Sequence, residues 1–492
     1  MVTLTEKISE LNLIEKSRNS NVDYSWISVS EKNTRENGMV KREYTVKPME
    51  LSNWIKQNLN YIFVRGAANE GSMIYVYSDG YYKYISDNEF KGFIKSFIPY
   101  QLRKSKDINE VFIDLTTEMK FVDYEQLNAN EDIINFEDGI LNLKTWKLEP
   151  HDPKYLSTIQ IPAKYKEIEE ADPTAVEFEK YMMKLCNEDA DIYILLLECL
   201  GLVISNIYAY RTKKALFLVG EGNTGKSQLK KIAEYLLGKQ NISSIDLKQL
   251  SERFGTSDLY QKRLAGCNDM SYQRIEDMSL FKQLTGGDTI RMEFKNKSSF
   301  TFLFKGFLWF NCNKLPLFGG DTGKWVYERI MPVYCNNVIP KKEQDPYLFE
   351  KILKEKNSIL KNVLIALKRL IDNDYKFDEP KSMEEFRQNY EVENNTLLTF
   401  IKECCEVRED IMPSLRTKKR VFMEAYDSWI RKNNNGRGKL NSKEVNKILE
   451  KKYDEHAIKS NGVMYMSKLV LTPEAKEELE IYDNSYNNWG GN

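Results

Sequence analysis

The sequence predicts an α/β nucleotide-binding domain flanked by smaller units, and three observations carry that reading. Residues 220–227 read GEGNTGKS, which fills every position of the pattern G-x-x-x-x-G-K-[S/T]. The apolar run Ala215-Leu216-Phe217-Leu218-Val219 precedes it at the length of a buried strand, and Ser227 to Leu237 follows at helical spacing and stops at Gly238. Strand, glycine-rich loop and helix start are the context the pattern needs. Residues 209–340 as a whole alternate strand-like and helix-like segments, the signature of helices packed on a parallel sheet.

Taken in order, residues 1–54 are a polar, turn-rich segment whose fold the sequence does not specify. Residues 55–170 read as an α+β domain. Ile74–Tyr77 and Tyr81–Ile85 alternate around Ser78-Asp79-Gly80, a hairpin signal, and helical spacing follows from Asn88 to Tyr100. A second strand-rich stretch, Ile133 to Leu143, leads to Pro150 and Pro153. Residues 171–395 begin with a helical lead-in, continue through the nucleotide-binding domain and end in helices from 350 onward. Residues 396–470 form a separate small unit, and 471–492 is an acidic tail that becomes Asn/Gly-rich.

Composition narrows the chemistry. The chain has 492 residues, so several cores are expected. Its net charge of −1 means that any nucleic-acid surface is a local patch. No N-terminal apolar stretch resembles a signal peptide, and Ile192–Ile204, interrupted by Glu198, is too short to span a bilayer. A cytoplasmic protein without a membrane partner is expected. The seven cysteines are scattered without a C-x-x-C pair, which fits reduced thiols. With two histidines, His151 and His456, a zinc site or a histidine triad has almost no raw material.

The loop itself specifies its ligand. Gly220, Gly222 and Gly225 let the backbone turn so that amides of Glu221, Asn223 and Thr224 can face phosphate oxygens, and the helix N-terminus adds partial positive charge. Lys226 would reach the β- and γ-phosphates, and the Ser227 hydroxyl would bind Mg²⁺. ATP with Mg²⁺ is the expected cofactor pair. Hydrolysis also needs a carboxylate near the metal, a polar group for the attacking water and a cation for developing charge. Asp269 ends a strand-like segment, Lys262 to Asp269, 43 residues after Lys226. Asn313 follows the buried-type strand Phe307 to Cys312, and Arg329 lies 16 residues further on. Between them, Ile290 to Lys295 and Phe300 to Phe304 read as a hairpin with Lys295 and Lys297 near its tip.

GEGNTGKS, LAGCND, KQLTGGD, the strand ending in NCNKLP and the YERI arginine together resemble superfamily 3 helicases, in the poxvirus- and phage-type primase–helicase branch. YSDGYYKYIS and INFEDGILNL are similar to the domain that precedes the ATPase there. The resemblance implies an AAA+-type ATPase domain and a homo-hexameric ring on single-stranded DNA, moving 3′ to 5′. In that carry-over Lys226, Ser227 and Asp269 hold phosphate and metal, Asn313 is the sensor, and Arg329 is a finger supplied by the neighbouring subunit. Lys295 and Lys297 fall in the DNA-contacting hairpin. The chain departs from the pattern at Asn268, where the family usually has a second acid, so Glu276 or Asp277 are candidates to assist the base. Residues 1–54 are too short for a polymerizing domain and Asp114 is a lone carboxylate, so no primase activity is expected. The chain looks most like a replication initiator helicase of a phage satellite or pathogenicity island, working with a separate primase or host replication proteins. An AAA+ ATPase that remodels or packages without unwinding, or a regulator that uses ATP to assemble on DNA, are the alternatives.

The C-terminal unit reads as winged-helix-like. Between Ile411 and Val470 there are 14 Lys or Arg against 6 Asp or Glu. Thr417–Arg431 and Ser442–Lys452 are the expected helices, and Asn461-Gly462 between alternating runs is the expected hairpin turn. Lys443, Lys447 and Lys451 share one helix face. Such a face suits a duplex groove, so origin double-stranded DNA is the expected partner of this unit.

Overall fold

The computed structural model describes residues 25–33, 40–65, 73–117, 121–252, 254–272, 274–275, 277–293, 300–318, 324–434 and 439–481. It is a mixed α/β structure in two compact units: Met1–Ser271 with Ser279–Leu315 and Arg329–Glu379, and Tyr272–Met278 with Pro316–Glu328 and Pro380–Asn492.

The first unit begins earlier than the sequence reading placed it. A two-stranded ribbon, Ile27–Asn33 against Val40–Val46, leads into the helix Pro48–Asn58. Trp26, Val46, Leu51 and Ile55 are buried in one core with Phe63, Phe90, Phe93, Phe97 and Leu115. The boundary at 54 therefore moves back to about the first described residues. The reason is the helix: its apolar positions 51 and 55 share one face and need the sheet beneath them. That sheet has the strand order Tyr81–Ile85, Met73–Ser78, Tyr61–Arg65, Phe121–Asp123. The Asp79-Gly80 turn has both residues at positive φ, 54° and 90°. A Cβ on Gly80 would also lie 2.5 Å from the His151 ring, so the turn is fixed by conformation and by packing.

The helix Ala190–Ile204 is almost entirely buried and packs on Lys356–Asp372. Its Glu198 is 1% exposed and is paired with Arg369, yet burial still holds the carboxyl above its usual range. This explains how an acid interrupts an apolar helix without unfolding it. No helix among the described residues is long and apolar enough to cross a membrane.

Five parallel strands form the central sheet. Their order is Ile242–Ser243, Leu264–Ala265, Phe307–Cys312, Ala215–Val219, Ile330–Tyr334. The second of these is shorter than the expected strand over Lys262–Asp269. Gly266 has φ 141°, and a Cβ there would meet Trp309 O at 1.8 Å, so pairing breaks where the backbones close in. The pairing resumes as a single bridge, Met270 to Cys312. Thr289–Met292 pairs antiparallel with Phe300–Leu303, as expected of the hairpin.

The second unit is mainly helical. Lys381–Asn394, expected to close the nucleotide-binding domain, groups instead with the C-terminal residues. Its Tyr390 donates to the carbonyl of Pro316 and packs edge-on to Phe318 and Tyr327. The expected helices are Lys419–Asn434 and Ser442–Tyr453, the second begun by a capping box between Asn441 and Glu444. Ile458–Ser460 and Val463–Tyr465 form the hairpin, with Asn461 and Gly462 at φ 48° and 80°. Leu471, Ala475 and Leu479 are buried in this core, so it extends past the boundary at 470. The apolar face of the helix Pro473–Glu478 holds it there despite its acidic surface.

Candidate functional site

Parallel strands present their C-terminal ends on one edge, and that edge is where such sheets hold ligands. Here the phosphate-type loop leaves Val219, the segment bearing Asp269 follows Ala265, and Asn313 follows Cys312. Because Phe307–Cys312 lies between the other two strands, Asn313 emerges between Lys226 and Asp269 along that edge. All three belong to the first unit.

The loop is held from below. Gly220 donates its amide to Cys312 O at 3.2 Å, and a Cβ on Gly220 would lie 2.0 Å from Cys335 O. Asn223, at φ 62°, accepts the Ile339 amide at 2.9 Å. Gly225, at φ 95°, caps the helix Lys226–Leu237. A Cβ on Gly222 would meet nothing within 4 Å, which leaves that side of the loop open for close approach. The Lys226 ammonium is buried in the concavity and donates to Gly220 O (2.7 Å), Glu221 O (2.6 Å) and Thr224 Oγ1 (3.0 Å). Burial lowers its pKa, and Cys335, Cys312 and the Asp269 carboxylate act in the opposite sense. Ser227 and Asp269 are exposed beside this cation, and Asn313 is exposed at its strand end. The donor set fits a triphosphate with a hard divalent cation: an amide-lined loop, one ammonium, one hydroxyl and one carboxylate.

Two residues that the sequence reading did not single out complete the loop's surroundings. Tyr181, on the helix Val176–Leu185, donates its hydroxyl to Gly225 O at 2.8 Å. Asn311 is fully buried; its Oδ1 accepts from Trp309 Nε1 at 3.0 Å and its Nδ2 donates to Asn268 Oδ1 at 3.1 Å. A polar residue inside an apolar strand run was the available signal for Asn311. Nothing in the helical pattern marked Tyr181. Beside the loop lies a cavity of about 400 Å³, lined by Tyr181, Leu185, Gln228, Ile339, Pro346 and Phe349 among others. Its volume and mixed lining suit a nucleoside.

Arg329 sits elsewhere. It precedes Ile330, which pairs with Ala215, whereas the loop follows Val219, which pairs with Tyr334. Arg329 therefore leaves the backbone at the opposite end of the strands, roughly 17 Å along them at about 3.3 Å per residue. Its Nη1 donates to Lys282 O (3.0 Å) and Thr285 Oγ1 (2.8 Å). Within one chain it does not join the loop. Lys295, Lys297 and Glu276 lie outside the described residues. Lys443, Lys447 and Lys451 are exposed along one face of their helix, with Val445 and Leu449 buried on the other.

Comparisons with known proteins bear on the family at a coarse level. Residues 52–186 match the family model described as D5 N terminal like. Residues 218–329 match a family of unknown function, DUF5906. A "Putative helicase" of Acanthamoeba polyphaga mimivirus is 27% identical over 217 residues, which is 42% of this chain and 22% of that protein. The chain thus spans about a fifth of that relative's length. At this level the resemblance is to viral helicase-type proteins. Among solved structures, the A form apo structure of the NrS-1 C terminal region is 13% identical with a TM-score of 0.46, covering 86% of this chain and 99% of that one. A second apo structure of that region is 14% identical with a TM-score of 0.42.

Proposed function

We propose that the chain is an ATP-dependent DNA helicase that starts replication of a phage or other mobile element. The observation that carries this reading is the meeting of Lys226, Ser227, Asp269 and Asn313 on one sheet edge while Arg329 stands at the other. ATP is the substrate: its phosphates lie on the loop amides and Lys226, and its nucleoside lies in the adjoining cavity. Mg²⁺ would be held through Ser227 and Asp269 and would supply charge neutralisation to the triphosphate. Asn313 orients the attacking water. Arg329 acts on the triphosphate of the next subunit, since its own loop is out of reach, and this supports a ring with ATP between protomers. Six copies around single-stranded DNA, moving 3′ to 5′, follow from the resemblance to superfamily 3. The Thr289–Leu303 hairpin, through Lys295 and Lys297, is the moving DNA contact.

The second unit, with its helix pair and hairpin, acts as the winged-helix-like module that binds origin duplex. The exposed lysine face of Ser442–Tyr453 supports that role. A strand-displacement assay on forked DNA tests the whole reading. Wild-type protein is expected to release the strand with ATP and Mg²⁺, and Lys226→Ala to release none. An enzyme that hydrolyses ATP but never separates strands would favour remodelling or packaging instead.

A further inference from the structure

The turn at Tyr100 carries charge and an aromatic face that no role above uses. Residues 90–106 contain Lys91, Lys95, Arg103, Lys104 and Lys106 and no Asp or Glu, in a chain whose 72 cations and 73 anions nearly cancel. Tyr100 is 80% exposed, the most exposed large hydrophobic side chain among the described residues. Lys95, Lys104 and Lys106 are exposed, and among the described residues none of them has an ion-pair partner. Lys91 is different: its ammonium lies over the Phe112 ring at 4.6 Å.

The turn is rigidly seated. Phe97 and Ile98 are buried, the Phe97 carbonyl accepts from Trp26 Nε1 at 3.2 Å, and Leu102 packs on the same core. Arg103 donates from Nε to Ile98 O at 2.8 Å, which keeps its guanidinium 5.7 Å from the Tyr100 ring centroid. Exposure of Tyr100 is therefore a property of an ordered turn. Lys104 and Lys106 flank the first residue of the helix Ser105–Thr117. Cations there oppose the helix dipole, and the end amides attract anions. Asp107 is the first acid beyond them. The placement costs stability in isolation and is favourable once a phosphate arrives.

An exposed ring for an unpaired base, beside exposed cations that can meet phosphates, is the chemistry of single-strand binding. A duplex offers the ring no free base face. We propose that the Tyr100 turn, with Lys95, Arg103, Lys104 and Lys106, is a further contact for single-stranded DNA on the N-terminal domain. This rests on the reading that the chain works on single-stranded DNA, but on none of the residues assigned to that work above.

The test is the affinity of the full chain for a labelled oligothymidylate across a salt series. Tyr100→Ala is expected to weaken binding about tenfold, the value of one stacked base, and Tyr100→Phe to restore it. Lys104→Ala/Lys106→Ala is expected to lower the slope of log affinity against log salt by about 1.4. ATP turnover without DNA should stay at the wild-type rate in all three. Unchanged affinity and slope, with Lys295→Ala/Lys297→Ala protein defective, would overturn the inference and leave the helicase reading standing. Loss in Tyr100→Ala and in Lys104→Ala/Lys106→Ala with rescue by Tyr100→Phe, in a protein that never unwinds forked DNA, would sink the motor and keep the contact. Binding to anionic phospholipid vesicles but to no oligonucleotide would also overturn it.

Discussion

Replacing Tyr181 by phenylalanine isolates one contact under the phosphate loop. The ring is buried, and a Cβ on Gly225 would lie 3.0 Å from its Cε2, so the phenyl group keeps the packing. Only the 2.8 Å bond to Gly225 O is lost. That carbonyl also accepts the amides of Gln228 (2.9 Å) and Leu229 (3.3 Å), so no acceptor is orphaned. The cost is therefore the net value of one hydrogen bond, about 1 kcal/mol, rather than the larger penalty of a buried unsatisfied group. Gly225 must hold its left-handed conformation for the loop amides to converge, so the loosened loop has to be re-ordered on binding. About 1 kcal/mol corresponds to roughly fivefold in affinity. Titration of a fluorescent ATP analogue should show that rise in Kd, with KM following and kcat within about twofold, because no transition-state contact is touched. A Tyr181→Phe protein with wild-type Kd would refute the idea that the hydroxyl holds the loop. Tyr181→Ala is the contrasting case, costing about 3–5 kcal/mol of folding stability through an emptied aromatic site.

Three other outcomes are expected. Burial pulls the Lys305 pKa down to about 8, although Nζ donates to Glu125 O and Leu127 O, each at 2.8 Å. The folded state releases this proton before the unfolded chain does, so a penalty present below pH 8 is relieved as pH rises toward 10.5. Urea unfolding of wild type and Lys305→Met should show the wild type gaining about 1–3 kcal/mol relative to the variant over that window, and parallel curves would count against it. In the second unit, the buried Glu455 carboxylate accepts from the Ser467 hydroxyl (2.8 Å) and the Lys468 (2.7 Å) and Leu469 (3.0 Å) amides. Glu455→Gln should cost about 2–4 kcal/mol, read from thermal unfolding, because charge-assisted bonds are replaced by an amide with misplaced donors. Lys443→Ala/Lys447→Ala/Lys451→Ala should reduce the salt slope of duplex binding by about 3, and an unchanged slope would remove this face from the interface.

The loop and its flanks were legible because glycine positions and apolar runs are local signals. GEGNTGKS announces its turn by glycine spacing alone, although distant residues then hold it, and the turns at Asp79-Gly80 and Asn461-Gly462 fell where positive φ demanded them. Strand order was not legible, since the placing of Phe307–Cys312 beside Ala215–Val219 is decided by contacts far apart in sequence. The reach of each core along the chain was not legible for the same reason. Trp26 and Leu479 each join a core built by residues distant in the chain, and the segments around Ile275 and Phe318 group with a unit formed mostly by the C-terminal residues. Tyr181 was invisible because an aromatic on an apolar helix face looks like any other core residue until its hydroxyl finds Gly225.

The measurement that bears most directly on the shared-site account is ATP turnover in mixtures of two disabled proteins, Lys226→Ala and Arg329→Ala. Each alone should be nearly inactive. Mixed in equal amounts, about one interface in four would pair an intact loop with an intact arginine, and turnover should recover accordingly. A mixture no faster than its separate components would contradict the assignment of Arg329 to a neighbouring subunit's ATP.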